Sequence, residues 1–391
     1  MKIPKKLNKK MVVAGIVVLA LVCGGATWAI VANTLSENSS ETSSVSSTST
    51  TSGSSNVSAS TISASASEAD IDWSALPSKE VTLKSGETFT ATDAGTYILT
   101  GSTDSGVVVK SDGNVRLILN GVTISNKNGV AIYVENANNV VLNLADGSTN
   151  TVSDASTRAD ATLDGVIFSH DDLVISGNGS LVVNSNYADG IVSKDDLKIL
   201  SGNITVNSAD DGIRGKDSVY ISGGKITIKA AADGIKATED TDASKGYTYI
   251  SGGEITINAG DDGIKAVSSL IIDGGTINIE NSVEGLEGTN ITINGGKINI
   301  YASDDGVNAS SDGVGGEVYL KVTGGELTVK VGSGDTDGID VNGNISISGG
   351  TVNTTSFDYD GTASLTGGEV YVNGSKVTTI PNAMMGGGAR R

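Results

Sequence analysis

The chain has 391 residues, with 45 acidic against 26 basic side chains and a formal net charge of −19. An acidic surface of this kind repels nucleic acid and anionic membranes, and it attracts divalent cations. The single cysteine, Cys23, excludes an intrachain disulfide. The 52 glycines and only 3 prolines are typical of stacked turns rather than of a chain disordered over its whole length.

The N-terminus joins a basic segment to an apolar one. Residues 1–10 carry five lysines, and residues 11–32 carry no charge. About 20 apolar residues span a bilayer, and the lysines before them favour a cytoplasmic location for that end. The sequence therefore predicts a cytoplasmic basic tail at 1–10 and a transmembrane signal anchor at 11–32, with the rest of the chain outside the cell. A cleaved signal peptide and lipidation at Cys23 stay open as alternatives.

Two further segments lack a pattern that could form a core. Residues 33–78 are rich in Ser and Thr, which predicts a disordered linker between the membrane and the folded part. Residues 376–391 end in MMGGGARR and are predicted to be a flexible tail.

The chain between these segments repeats one short pattern. Residues 221–237 read ISGGKITIKAAADGIKA, and residues 249–266 read YISGGEITINAGDDGIKA. Apolar residues alternate with polar ones between Gly-Gly and Asp-Gly corners, which is typical of half-buried strands and not of helices. Three short strands per repeat describe one rung of a solenoid. The sequence thus predicts an all-β protein, a parallel β-helix at 79–375 with an N-terminal β cap.

An acid–glycine pair marks the register of the repeat. Stacked rungs place equivalent acids about 5 Å apart, where like charges repel by about 1 kcal/mol per pair. A file of such acids needs protons, basic partners or cations. Turn chemistry alone also explains any single pair, because Gly accepts positive φ and Asp caps its own backbone. The pairs are Asp189-Gly190, Asp211-Gly212, Asp233-Gly234, Asp262-Gly263, Glu284-Gly285, Asp305-Gly306, Asp337-Gly338 and Asp360-Gly361.

A second acidic corner follows about six residues after the first. Its aspartates have no glycine directly after them, so a simple turn does not explain them. Ca²⁺ binds six to eight oxygens, which stacked carboxylates and turn carbonyls can supply. The predicted calcium ligands are Asp171, Asp195 and Asp217 at this corner, and Asp189, Asp211, Asp233 and Asp262 at the first.

Basic side chains occupy the strand between the two acidic corners. By alternation they point outward and share one face. Charge compensation of neighbouring aspartates is one interpretation. The other is a groove in which Lys and Arg bind the carboxylates of an acidic polysaccharide. These residues are Lys194, Arg214, Lys216, Lys236 and Lys265, and the candidates for stacking on sugar rings are Tyr220, Tyr247, Tyr249, Tyr301 and Tyr319.

Several strings carry a family resemblance. GTYILTG at 95–101, LNGVTI at 119–124 and the DDL and DGI signatures of 169–237 occur in one order. Over roughly residues 80–375 the chain resembles the bacterial cell-surface carbohydrate-binding β-helix family of cellulolytic clostridia. The resemblance implies a right-handed β-helix related to pectate-lyase-like proteins, with bound calcium. It also implies binding of polygalacturonate, pectin and cellulose without clear lyase activity.

We therefore expect a surface-anchored, calcium-dependent protein that binds acidic polysaccharide without catalysis. One alternative is a calcium-dependent lyase that performs β-elimination, with Arg214, Lys216 or Lys236 as the base. Another is a purely structural adhesin or spacer. A Ser-His-Asp hydrolase is excluded, because the single histidine, His170, has no suitable partners in the sequence.

Overall fold

Short parallel strands, each laid beside its equivalent in the next rung, form the folded part of the chain. A computed structural model describes residues 71–311, 316–334 and 336–383. They form 34 β-strands and one 3-10 turn, Trp73–Ala75. Three stacks of strands surround one apolar core, which confirms the predicted all-β parallel architecture. The right-handed sense stays a prediction.

The first sheet begins each rung. Its strands pair in parallel, in register from one rung to the next. They are β1 Ser78–Leu83, the first parts of β3 Gly95–Thr103 and β5 Asn114–Ser125, β7 Asn139–Leu144, β10 Leu173–Gly177, β13 Asp196–Ile199, β16 Ser218–Ile221, β19 Tyr247–Ile250, the last parts of β21 Ile264–Ile272 and β23 Leu286–Ile293, β26 Tyr319–Val322, β29 Asn344–Ile347 and β32 Ala363–Leu365.

The second sheet follows the Gly-Gly corner. It includes the last parts of β3 and β5. Its other strands are β8 Thr149–Ser153, β11 Ser180–Asn184, β14 Asn203–Asn207, β17 Lys225–Lys229, β20 Glu254–Asn258, β22 Thr276–Asn281, β24 Lys297–Ala302, β27 Glu326–Val331, β30 Thr351–Thr354, β33 Glu369–Val372 and the antiparallel β34 Ser375–Val377.

The third sheet follows the Asp-Gly corner and completes the rung. It includes the first parts of β21 and β23. Its other strands are β2 Phe89–Ala91, β4 Val107–Lys110, β6 Ile132–Asn136, β9 Gly165–Ser169, β12 Asp189–Ser193, β15 Ile213–Gly215, β18 Ile235–Ala237, β25 Val307–Ala309, β28 Ile339–Val341 and β31 Phe357–Tyr359.

Stacked aliphatic side chains fill the centre of the rungs. Ile213, Ile235 and Ile264 occupy one inward position of successive third-sheet strands, and all three are fully buried. Burying one such side chain stabilises the fold by about 1.5–3 kcal/mol. The period-two alternation in the sequence therefore reports which side of each strand faces this core.

The glycines of the Asp-Gly corners serve a purpose other than the one expected. They do not have positive φ; the left-handed conformation belongs to the second glycine of the Gly-Gly corners, such as Gly224 with φ of 91°. A Cβ on Gly234 would lie 2.5 Å from the carbonyl oxygen of Gly263 and 2.5 Å from Cγ2 of Ile257. Close approach of the next rung, rather than backbone conformation, requires glycine there.

One of the eight acid–glycine pairs was assigned to the wrong corner. Phe357 pairs with Ile339, so Ser356 and not Gly361 is the equivalent of Gly338. The Ser356 hydroxyl accepts a hydrogen bond from the Gly338 amide at 2.9 Å. Asp360-Gly361 belongs to the following corner, because this rung is shorter than those before it.

The folded part extends beyond its predicted limits at both ends. Within the predicted linker, Trp73 lies under the Arg116 guanidinium at 4.8 Å, and Thr96 donates to the Pro77 carbonyl at 2.8 Å. Within the predicted flexible tail, β34 folds back on β33 and Ile380 is only 8% exposed. These contacts cover strand edges and core that terminal rungs would otherwise expose.

The predicted anchor at 11–32 lies outside the described residues. The described residues contain no apolar helix of membrane-spanning length.

We predict that Gly234→Ala destabilises the protein by about 3 kcal/mol, because a Cβ there collides with the backbone of the next rung. Thermal unfolding followed by circular dichroism measures the effect. Gly129→Ala is the matched control, since its nearest contact would be Asn126 Nδ2 at 3.8 Å. Equal melting temperatures for both variants would contradict this account of the corner.

Candidate functional site

Three basic side chains lie in a row on the outward face of the third sheet. Arg214, Lys236 and Lys265 are register partners in successive strands. Strands are spaced at about 4.8 Å, so this basic row, Arg214–Lys236–Lys265, extends over about 10 Å.

Buried carboxylates line the corner just before these strands. Asp189, Asp211, Asp233 and Asp262 are each at most 6% exposed. In each step one carboxylate accepts the backbone N–H of the next aspartate, at 3.2 Å for Asp211, 3.1 Å for Asp233 and 2.9 Å for Asp262. These four residues, the aspartate ladder, therefore bind the rungs to one another.

The ladder and the row neutralise each other. Arg214 Nη2 lies 2.5 Å from Oδ2 of both Asp164 and Asp189. Lys236 Nζ lies 2.5 Å from Asp233 Oδ2. Lys265 contacts Asp262 at 3.1 Å and also pairs with Glu287. Charge compensation is thus one role of the basic row.

The pKa values of Asp189 in the ladder and of the basic row are both shifted. Burial raises the pKa of Asp189 to about 7, against the charge of Arg214 and together with those of Asp211 and Asp164. Burial alone would lower the pKa of Lys236, but its bond to Asp233 and the charges of Asp211 and Asp233 raise it overall. The row is therefore positively charged at neutral pH. Its outer surface stays accessible, since the Lys236 side chain is 29% exposed.

Lys194 and Lys216 lie apart from the row, so the five predicted basic residues do not form one line. Both follow the ends of third-sheet strands. Lys194 Nζ is 3.9 Å from Asp164 Oδ2 and 5.3 Å from the centre of the Phe168 ring. Lys216 Nζ pairs with a Glu239 oxygen at 2.9 Å.

The second acidic corner has several protein partners. Asp171 accepts the Ala137 amide at 2.7 Å, and Asp217 pairs with Lys245 at 2.5 Å. Burial and the charges of neighbouring aspartates, Asp217 first, raise the pKa of Asp195. Calcium binding at Asp171, Asp195 and Asp217 stays a prediction.

Within the described part of the chain, carboxylates gather at metal-binding distance at the other corner. One group is Asp233, Asp261 and Asp262, and the other is Asp262, Glu284 and Glu287, with ligand atoms within 4.8 Å of one another.

Beside the second group, Glu284 Oε2 and Asn308 Oδ1 are buried without a hydrogen-bond partner. Asn308 Nδ2 donates to Glu284 Oε1 at 2.8 Å. Unpaired buried oxygens are costly, and Ca²⁺ prefers oxygen ligands of these kinds, so the residues present fit that ion. The predicted ligands Asp233 and Asp262 belong to these groups.

Glu287 and Asp164 were missed as site residues, although the sequence holds a signal for both. Glu287 is the register partner of Lys265, so LEG at 286–288 replaces the IKA of the repeat before it. Asp164-Gly165 is an acid–glycine pair that precedes the first one counted.

Beyond the basic row the same line of positions becomes acidic. Asn308 pairs in register with Asp340, and Asp340 with Asp358. Burial and then the charges of four neighbouring aspartates raise the pKa of Asp340 from 3.8 to about 6. This acidic end was not predicted, because the acids stand at positions that hold Lys in earlier repeats.

We predict that Asp340→Asn raises the melting temperature at pH 7 and weakens its pH dependence. The folded state holds the Asp340 proton more tightly than the unfolded chain does. Its stabilising contribution is therefore complete below pH 3.8 and is lost as the pH rises through about 6. Melting curves recorded between pH 3.8 and about 6 measure how the melting temperature changes with pH. The contribution of Asp340 lowers the melting temperature as the pH rises.

Asp104→Asn is the control, because it is expected to change the melting temperature in the opposite direction. Hydrogen bonds from Lys127, Gly86 and Ser85 lower the pKa of Asp104, so the substitution lowers the melting temperature at pH 7. A melting temperature lowered by Asp340→Asn as well would contradict the assignment of repulsion at the acidic end.

Comparison with known proteins identifies a family for the larger part of the chain. Residues 85–336 match the family described as carbohydrate-binding domain-containing protein. A carbohydrate-binding domain-containing protein of Acetivibrio thermocellus is 38% identical over 125 residues, which are 30% of this chain and 44% of that protein. The chain thus matches less than half the length of this relative.

A solved structure, that of the polysaccharide lyase-like protein from C. thermocellum as a gadolinium derivative, is also similar. The TM-score is 0.49 at 33% sequence identity, over 60% of this chain and 87% of that one. The family match covers more than half of the sequence, and this chain therefore belongs to the carbohydrate-binding domain-containing protein family.

Proposed function

We propose that the basic row binds an acidic polysaccharide outside the cell, with the help of Ca²⁺ and without catalysis. The observation that carries this proposal is the line of three register-matched cations on an otherwise acidic protein. A polyuronate carries one carboxylate per sugar along an extended chain. A row of cations at regular spacing is complementary to such a ligand.

The aspartate ladder supports this role by holding the cations in place. Lys and Arg side chains lose rotamer freedom when they bind a ligand, and prior fixation lowers that cost. Arg214 is held by Asp164 and Asp189 through Nη2 and Nε, yet its side chain remains 18% exposed. These contacts engage Nη2 and Nε, so Nη1 is the nitrogen left to donate to a carboxylate of the ligand.

Ca²⁺ would bind at the acidic groups beside the row. Asp262, Glu284 and Glu287, with the amide oxygen of Asn308, are the residues that would hold it, and Asp233 with Asp261 would form a second position. When bound, the ion supplies positive charge that bridges carboxylates of the protein and of the sugar.

The protonation of the row favours binding over catalysis. The pKa values of Arg214, Lys236 and Lys265 are raised, as is that of Lys216 through its bond to Glu239. A base for β-elimination must be neutral when it takes the proton. These four residues are therefore poor bases at neutral pH.

A lyase is the second candidate, and one observation favours it. Burial, and then the charge of Arg214, lower the pKa of Lys194. Lys194 is therefore the basic residue best suited to abstract a proton, in place of the bases considered from sequence. A steady rise in ultraviolet absorbance from unsaturated product on polygalacturonate, abolished by Lys194→Gln, would establish the lyase and overturn the non-catalytic proposal.

We predict that Lys236→Gln weakens binding to polygalacturonate by about tenfold, the effect of one lost charge-assisted contact. Affinity electrophoresis in gels with and without the polysaccharide measures this. Lys225→Gln is the matched control, because Lys225 is 58% exposed on the second sheet and pairs with Glu254 in a similar way. Unchanged mobility of the wild-type protein would favour the spacer instead.

We predict that Ca²⁺ at about 100 times its Kd stabilises the protein by about 2.7 kcal/mol, because it binds only the folded state. Calorimetry with Ca²⁺ and with a chelator measures the difference. Glu284→Gln reduces this gain, whereas Asp210→Asn, an exposed acid of an earlier rung, preserves it. Identical melting curves with Ca²⁺ and chelator would refute the calcium site.

A further inference from the structure

One outward-facing aromatic side chain of the third sheet is completely buried. Phe168 is the register partner of Val192, whose next partner is Arg214, so it belongs to the same outward line as the basic row. Its exposure is nevertheless 0%. Phe168 packs with Val130 and Val192 in an apolar cluster separate from the main core, and Tyr133 and Leu163 pack against that cluster.

The segment 154–164 provides this cover, since its Leu163 packs against the cluster. The Arg158 side chain, which is only 2% exposed, stabilises the conformation of the segment 154–164. Its guanidinium lies 2.5 Å from Asp154 Oδ2, and it donates to the carbonyls of Leu163 at 2.8 Å and Ala155 at 2.9 Å. The segment 154–164 therefore has a defined conformation on this face of the sheet.

Two further rings lie beside the buried Phe168. The ring centres of Tyr133 and His170 lie 5.8 Å apart, and those of Phe168 and His170 lie 5.1 Å apart. His170 is exposed and Tyr133 is half-buried. Tyr133, Phe168 and His170 form the aromatic cluster, and Lys194 Nζ stands over the Phe168 ring.

The aromatic cluster and the basic row lie on one continuous line. Tyr133 pairs with Phe168, Phe168 with Val192 and Val192 with Arg214. Three strand spacings separate Tyr133 from Arg214, which is about 15 Å. Phe168 and Val192 between them are fully buried under the segment 154–164, so an extended chain bound along the row would pass over that segment to reach His170 and Tyr133.

We propose that the aromatic cluster is an end subsite that packs against one sugar ring of the acidic polysaccharide. This inference rests on the proposed function of the basic row. The exposed His170 ring and the half-buried Tyr133 ring offer apolar surface to the C–H face of a sugar, and each adds a polar edge. Lys194 supplies the positive charge that a uronate ring at this position needs, so the occupant is a uronate residue rather than a neutral sugar.

The subsite makes binding depend on the length of the ligand. A short oligogalacturonide that covers only the basic row does not reach Tyr133. A longer one contacts both parts and gains the aromatic contact. A well-placed aromatic contact of this kind contributes about tenfold in affinity.

The test compares the two ligand lengths by isothermal titration on the full chain with Ca²⁺. The double variant Tyr133→Leu/His170→Ala is expected to lose about tenfold in affinity for the long oligomer and none for the short one. Tyr133→Phe retains the affinity for the long oligomer. Tyr371→Ala, which removes a ring on the second sheet, leaves both affinities unchanged.

The single variant His170→Ala keeps the test independent of folding, because His170 is exposed and the remaining apolar cluster stays in place. It is expected to weaken binding of the long oligomer alone. Equal affinities of all variants for the long oligomer, with Lys236→Gln still weakened, would overturn the aromatic subsite and leave the proposed function standing. Failure of the wild-type protein to bind either oligomer would overturn both.

Discussion

Strict register between parallel strands is the constraint on which the other features of this protein depend. The backbone hydrogen bonds of one rung place each residue directly over its equivalent in the next, as for Ile213, Ile235 and Ile264. A residue type repeated in sequence therefore becomes a column in space. Aliphatic columns produce the core, and glycine columns allow rungs to approach at corners such as Gly234. The same rule turns repeated charges into lines of charge.

Lines of like charge are unstable, and the protein relieves this repulsion in two ways. Over the rungs of Asp189 to Asp262, a basic column stands beside the acidic one and neutralises it. Further along, the basic residues are replaced by Glu287 and Asp340, and burial together with repulsion raises their carboxyl pKa values. Protons or cations must then supply the missing positive charge. This contrast between the two halves is the physical basis for the proposal that one binds an anionic ligand and the other a metal ion.

The architecture could be predicted from sequence because alternation and repeat length are local properties. The basic row was predictable in outline from GIRGK and GIKAT, and three of five residues lie in it. Lys194 and Lys216 lie off the line, because alternation says which way a side chain points but not where a strand ends. The aromatic cluster could not be found, since the irregular segment 154–164 buries Phe168, and pairing of the strands before and after that segment places Tyr133 beside His170. The extent of the fold was underestimated at both ends for the same reason, as single contacts of Trp73 and Ile380 follow no pattern.

The interchangeability of successive rungs has a consequence for how such a surface changes in evolution. Each repeat contributes one outward position to the basic row and brings its own core residues and corners. Duplication of a whole repeat that carries Lys at this position would lengthen the row by one cation and leave every existing contact type intact. A change of length within a repeat leaves the columns in register, as the short rung between Ile339 and Phe357 shows, and so alters neither the row nor the core. The length of the basic row is thus set in units of one turn of the chain, by gain or loss of entire repeats.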